Sequence, residues 1–459
     1  MDSPSGDAND SLTGRLVGTR ESLRRRLTAA SDPHTTASSR VASTEDYRAA
    51  RLLPIAVIVV VRAFVIAASI CALLTADVSA GVESSGRPVY AVTDAGTDGR
   101  LLTRRDPATL APIGPSASLH SSSQAAAFSP NGSLLAFVEW AGNRPSVYVL
   151  SLSRMRWQAQ VQLRLATGTV IVRWLDSSRV LVFAERPDGL RVFVLDAMRN
   201  RLSVARRVAG HLTDRQQVAV GRTRAAVLIG AAQKIGPVRL AVVSFAGPTR
   251  IVTLKQIHEG AIDRKIYRPS LVADPTADQA YVVGGIRDPV AAINLRTLGV
   301  AYRRPLASAD ANDVAGAERM TVWLGGGRFA VAGWDDGAPG LDSRLLGLRV
   351  VDTHSWRART LDPDTDYVCV AGHSLVGHHP DGTLVVFGFD GVRRLELSPV
   401  DAPAFPVPVA SNDHYLYLPD PGVGALVADL VSRRFIGRLP IQGLDELLSP
   451  TNSLGAGCR

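Results

Sequence analysis

Lysine is nearly missing from this chain. Only Lys234, Lys255 and Lys265 occur among 51 basic residues, which leaves 51 − 3 = 48 arginines. A GC-rich coding sequence accounts for that bias, so the net charge of +9 does not by itself assign an anionic partner. No Arg/Lys run interleaved with aromatics occurs after the first apolar segment, which argues against nucleic acid as a partner. Cysteine is scarce too: Cys71, Cys369 and Cys458. Without a Cys-x-x-Cys pair, a zinc or thiol-redox site of that type is excluded. A phosphate-cradling glycine loop and a dinucleotide fingerprint are absent, and His258-Glu259 lacks the second histidine of a zinc-protease helix. Helical periodicity is almost absent beyond residue 87, with Leu444 to Leu448 as the exception.

Residues 1–50 are rich in Ser, Thr, Ala, Asp and Arg and are expected to form a disordered tail. Leu52 to Leu74 then runs for 23 residues with one charge, Arg62. An arginine near mid-span costs about 2.5–3.5 kcal/mol, and the 14 Leu, Ile, Val and Phe around it each return roughly 0.3–0.6 kcal/mol. Insertion wins, so 51–76 is expected to be a transmembrane signal-anchor helix. Arg48 and Arg51 precede it while Asp77 and Glu83 follow, which puts the tail in the cytoplasm and the rest outside. The competing reading is a signal peptide cleaved after Val78-Ser79-Ala80, giving a secreted protein. In either compartment Cys369 and Cys458 can form one disulfide or stay as two thiols.

From Arg87 onward short apolar strands alternate with turns. Phe128-Ser129-Pro130-Asn131-Gly132-Ser133-Leu134 joins two strands through a Pro-Asn-Gly turn; His379-Pro380-Asp381-Gly382-Thr383-Leu384 has the same shape, and Ala273 to Val282 is a worn copy. A second phrase also recurs: an alternating strand ending near Asp, Asn or Ser, a polar turn, and another strand. Val147–Leu152, Val192–Asp196, Leu240–Ser244, Ala291–Leu295, Leu348–Asp352 and Ala425–Leu430 are examples. The spacing of about 45–50 residues is that of four-stranded propeller blades. It predicts an all-β, seven-bladed (alternatively eight-bladed) β-propeller over 87–440, followed by a C-terminal tail at 441–459. In a seven-bladed ring the early strands at Val89–Thr93, Arg100–Thr103 and Leu110–Ile113 would complete the last blade and remove an exposed edge.

The two Pro-Asn/Asp-Gly segments and the strands ending in Asp resemble the repeats of TolB-like and WD40-like bacterial β-propellers over roughly 88–440. No Gly-His…Trp-Asp pair recurs, and the lone Gly333-Trp334-Asp335 is expected on a loop. The resemblance implies a binding ring, often a protein-interaction platform of the cell envelope; fold does not fix function.

Candidate chemistry is sparse. His373, His378 and His379 offer imidazoles for a metal, but strand alternation sends His378 and His379 to opposite faces. Ser374 lacks the Gly-x-Ser-x-Gly of a nucleophile elbow. Asp335, Asp336 and Asp342, and separately Asp362, Asp364 and Asp366, supply oxygens of the kind calcium takes, yet both sets read better as solvated turns. No catalytic residue, metal or cofactor is expected. The six tryptophans occur about once per repeat and are expected to pack between blades. Trp140 and Trp334 end strands and are the candidate partner surface. These features predict a non-catalytic, membrane-anchored extracytoplasmic module that binds a protein or cell-envelope ligand. The alternatives are a lyase or hydrolase with its site at the central channel, and a sensor that signals through the membrane helix.

Overall fold

The computed structural model describes residues 87–450, apart from short internal stretches of which 399–409 is the longest. Two compact units divide the chain, Met1–Val82 and Glu83–Arg459, and the described residues belong to the second. The expected tail, the 51–76 segment and Cys458 lie outside the described residues. No described helix is long and apolar enough to cross a membrane.

Thirty-five strands form seven sheets. Sheet I joins Val89–Asp94, Arg100–Arg105 and Pro112–Leu119 to Leu444–Leu448 from the other end of the chain. Sheets II (124–162), III (170–208), V (270–303), VI (367–397) and VII (410–440) are four-stranded antiparallel meanders. Sheet IV has eleven strands and contains two meanders, IVa (211–262) and IVb (314–362). They are stitched together by Lys265–Arg268, which pairs antiparallel with Arg250–Ile262 and parallel with Val314–Gly325.

The core is divided among the spaces between sheets. Eight apolar clusters lie, in turn, between I and II, II and III, III and IVa, IVa and V, V and IVb, IVb and VI, VI and VII, and VII and I. That sequence of contacts closes a circle, and first strands touch first strands around much of it. The fold is an all-β propeller. It has six separate four-stranded blades rather than the seven or eight expected. The remaining strands form one continuous sheet because Gly316 lets Lys265–Arg268 lie alongside: a Cβ there would come within 2.6 Å of the Ile266 carbonyl oxygen.

Leu444–Leu448 is a strand, not a helical segment. Its leucines at 444, 447 and 448 are buried between sheets VII, I and II, in the position a first strand takes. The Pro-Asn/Asp-Gly phrase also proves to occupy two different places. At 129–133 it joins the first and second strands of sheet II; at 379–383 it joins the second and third strands of sheet VI. The first strand of sheet VI is Tyr367–Ala371, upstream of the repeat read from the sequence.

The third-to-fourth turn is the more faithful repeat. Leu110, Met155, Asn200, Leu298, Trp356 and Arg433 have φ of 54, 48, 49, 64, 54 and 58°. Each stands four residues after Asp106, Ser151, Asp196, Asn294, Asp352 or Asp429 at the close of a third strand. The acid or amide accepts the N–H groups two and three residues on, as from Ala108 and Thr109 to Asp106 at 3.0 and 2.8 Å. His354 and Ser355 do the same to Asp352 at 2.9 and 2.8 Å. This side-chain capping holds a left-handed residue that is not glycine.

Candidate binding face

Chain direction gives the propeller two unlike ends. First-to-second and third-to-fourth turns lie at one end, the turn face. Second-to-third turns and the links between sheets lie at the other, the connection face.

The connection face is stitched by histidine–carboxylate contacts. His211 Nδ1, at the start of IVa, lies 3.3 Å from Glu185 Oε1 of sheet III. His258 Nδ1 of IVa lies 3.2 Å from Asp288 Oδ1 of sheet V, which also accepts the His258 N–H through Oδ2. His378 Nδ1 faces Asp366 Oδ1 at 2.9 Å, and His379 Nε2 faces Asp362 Oδ1 at 3.1 Å. His120 stands 3.7 Å from Glu139. His120, His211 and His258 are about half exposed, whereas their carboxylates are mostly covered. The His211 and His258 rings therefore present one edge to solvent while a hydrogen-bonded acid orients the other.

Beneath the rim of IVb lies a buried charge network. Arg319 is 1 % exposed and Asp335 2 %. Arg319 Nη2 donates to Asp335 Oδ1 at 2.5 Å, and Nη1 donates to the carbonyls of Glu318 at 2.9 Å and Trp334 at 2.6 Å. Glu318, also buried, accepts from Arg268 Nη1 at 3.1 Å across the parallel pairing. Burial pushes the Arg319 guanidinium below its ordinary value, opposed by the charge of Asp335. Burial likewise lowers Arg349, helped by the positive charges of Arg319 and Arg344. Gly333, at φ 140°, makes the approach possible, since a Cβ there would strike the Glu318 carbonyl oxygen.

Several expectations change here. Gly333-Trp334-Asp335 is in the strand Arg328–Gly337, not a loop, and Asp335 holds an arginine instead of facing solvent. Asp342 lies outside the described residues. Asp362 and Asp366 are partners of His379 and His378, and Asp362 also caps the Asp364 N–H at 2.9 Å. His373 is at the opposite end of Ser374–His378 from His378, on the turn face, where it meets Asp413 at 2.8 Å. Among the described residues no group of three or more His, Cys, Asp and Glu is placed to hold a metal. Cys369 is disulfide-bonded, and Cys458, its expected partner, lies outside the described residues.

Trp140 and Trp334 each lie on the second strand of a sheet near the connection face, half-buried, in sheets II and IVb that do not adjoin. Trp174 is fully buried and its Nε1 donates to the Ala127 carbonyl at 2.8 Å; Trp323 and Trp356 surround Tyr281. Reading the sequence missed Arg319 and Glu318. Their signal was two adjacent charges inside an otherwise apolar strand, Val314–Gly325.

No family model matches the chain, and no curated protein matches it. Solved structures similar in fold include the dihydro-heme d1 dehydrogenase NirN, at 14% identity and TM-score 0.48, covering 80% of this chain and 76% of that one. AztD from Citrobacter koseri matches at 14% identity and TM-score 0.48, covering 81% and 99%. TolB from Acinetobacter baumannii matches at 12% identity and TM-score 0.36, covering 67% and 62%. The propeller fold itself rests on the chain's own sheet order. These neighbours include enzymes and non-enzymes and carry no activity over to it.

Proposed function

We propose that this protein is a membrane-anchored binding propeller that docks a protein or cell-envelope ligand on its connection face, outside the cytoplasm. The supporting observation is the set of exposed histidines His120, His211 and His258; His211 and His258 are each oriented by a carboxylate of the neighbouring sheet, and His120 stands near Glu139. Half-buried Trp140 and Trp334 add apolar anchors at the same end of their sheets. The anchor is the 51–76 helix, with residues 1–50 as its cytoplasmic tail. Meanders IVa and IVb act as two blade positions, giving an eight-position ring. Cys369 pairs with Cys458, fastening the tail to sheet VI.

The test is purification of the full chain from native membranes in mild detergent, with mass spectrometry of what co-purifies. A stoichiometric partner that is lost from His211→Ala/Trp334→Ala supports this reading. Turnover of a glycan or peptide by the purified chain, with no partner, sinks it in favour of a propeller enzyme. Peptide mapping without reductant tests the disulfide: a Cys369–Cys71 or free Cys369 peptide refutes the pairing.

A further inference from the structure

The turn face is built differently. Nine large apolar side chains are exposed among the described residues, and all but Val423 lie in third-to-fourth turns or within the first three residues of fourth strands. Six of them fall on consecutive sheets VII, I, II and III: Val431 (65 %), Phe435 (43 %) and Ile436 (49 %), then Ile113, Trp157 and Met198 (61 %). Arginines stand among them. Arg433 and Arg434 precede Phe435, Arg154 and Arg156 flank Met155 beside Trp157, and Arg199 and Arg201 follow Met198; all six are exposed. Arg154, Arg156, Arg201, Arg433 and Arg434 make no ion pair with a described residue. The acids of these turns are already engaged: Asp196 and Asp429 cap backbone N–H groups at 2.8–3.0 Å. Positive charge and apolar surface are thus left together on one arc of the rim.

Both ends of the described chain leave by this face. Val89 starts a second strand and Leu448 ends a first strand, and Arg87 Nη1 donates to the Pro450 carbonyl at 3.2 Å. Only ten residues, 77–86, separate the expected anchor from Arg87. They reach at most roughly 35 Å when fully extended.

We propose that the turn-face rim over sheets VII, I, II and III rests on an anionic lipid bilayer, with Val431, Phe435, Ile436, Trp157 and Met198 entering the interface and the arginines meeting phosphates. The bilayer is the chosen occupant because an apolar knob beside an uncompensated cation suits an interface that is apolar below and anionic above. The closeness of the membrane rests on the anchored reading above; the composition of the rim does not. Each arginine near such a surface strengthens attachment roughly fivefold, and salt weakens it.

The experiment places the full chain in nanodiscs of phosphatidylcholine alone or of equal parts phosphatidylcholine and phosphatidylglycerol, read by hydrogen exchange and by quenching of tryptophan emission with brominated lipid. Segments 196–201 and 429–436 are expected to exchange at least fivefold more slowly in the anionic discs, an effect abolished by Arg433→Glu/Arg434→Glu or by molar salt. Brominated lipid is expected to quench an emission component that Trp157→Phe removes, a readout that needs no charge reversal. Inserted protein that exchanges and quenches alike in both lipids overturns the rim and keeps the anchor, leaving the arc to an acidic protein partner. Full chain that stays out of discs yet sediments with anionic vesicles sinks the anchor and keeps the rim.

Discussion

The two ends of the propeller place their repeating acids differently. On the connection face, carboxylates reach histidines and arginines, across a sheet boundary from Glu185 to His211 and from Asp288 to His258, and within sheet IV from Glu318 to Arg268. On the turn face, the repeating carboxylates fold back on their own backbone, and Arg154, Arg156, Arg201, Arg433 and Arg434 make no ion pair with a described residue. The lesson is that charge composition alone says little about a surface. What decides its character is whether each acid is engaged by a cation or by a peptide N–H.

The sharpest way to break this contrast is at Arg319 and Asp335. Asp335→Ala leaves a buried guanidinium without its counter-charge and is expected to cost about 3–5 kcal/mol, read by denaturant unfolding. Arg319→Met/Asp335→Leu should recover most of that loss, since an apolar pair of similar volume needs no compensation. If the double variant is as unstable as the single, the pair contributes more than mutual neutralisation.

Smaller effects are expected on the turn face. Asp106→Ala removes two backbone acceptor contacts in a largely exposed turn and should cost roughly 0.5–1 kcal/mol. Backbone donors, Thr109 N–H first, hold Asp106 below its ordinary carboxylate value, and Ser355 N–H does the same first for Asp352. A lowered folded value means the contribution is complete above the unfolded value of about 3.9 and fades as pH falls through the folded one. Thermal melts should therefore be flat above pH ~5 and drop below pH ~4, and Asp106→Ala should drop less steeply. An equal slope would remove the turn acids from acid sensitivity.

Arg433→Gly sharpens the contrast from the other side. It relieves a left-handed residue and should stabilise by about 0.5–1 kcal/mol, while weakening attachment to anionic lipid. The smallest effect belongs to His211→Ala, exposed at the rim, which should change stability by no more than about 0.5 kcal/mol while removing partner binding. A large stability loss there would make the histidine pair structural.

Much of the sheet system was legible in the sequence. All six phrases from Val147–Leu152 to Ala425–Leu430 are third strands, because the turn that follows each needs an Asp, Asn or Ser at a fixed place. First strands were harder to see. They are apolar on both sides, as in Tyr367–Ala371, so they lack alternation. Leu444–Leu448 carries leucines at spacings three and four, which five residues of strand buried between two sheets can mimic. The Pro-Asp-Gly turn suits either end of a sheet, so it cannot report which strands it joins. The sheet merger through Lys265–Arg268 depends on Gly316 lying beside a segment fifty residues away, and nothing local announces that. The Arg319–Asp335 pair is likewise sixteen residues apart and meets only once the hairpin is paired.

Sheet I has a consequence for how the chain is made. Val89–Leu119 emerge during synthesis long before the strand that completes their sheet, Leu444–Leu448. Until then Val89–Asp94 presents an open hydrogen-bonding edge to whatever passes. Such closure is late by construction, because contacts of high sequence separation are slow to form. A ribosome that stops short of residue 444 leaves sheet I with an unzipped seam, and that seam is where quality control or aggregation would begin.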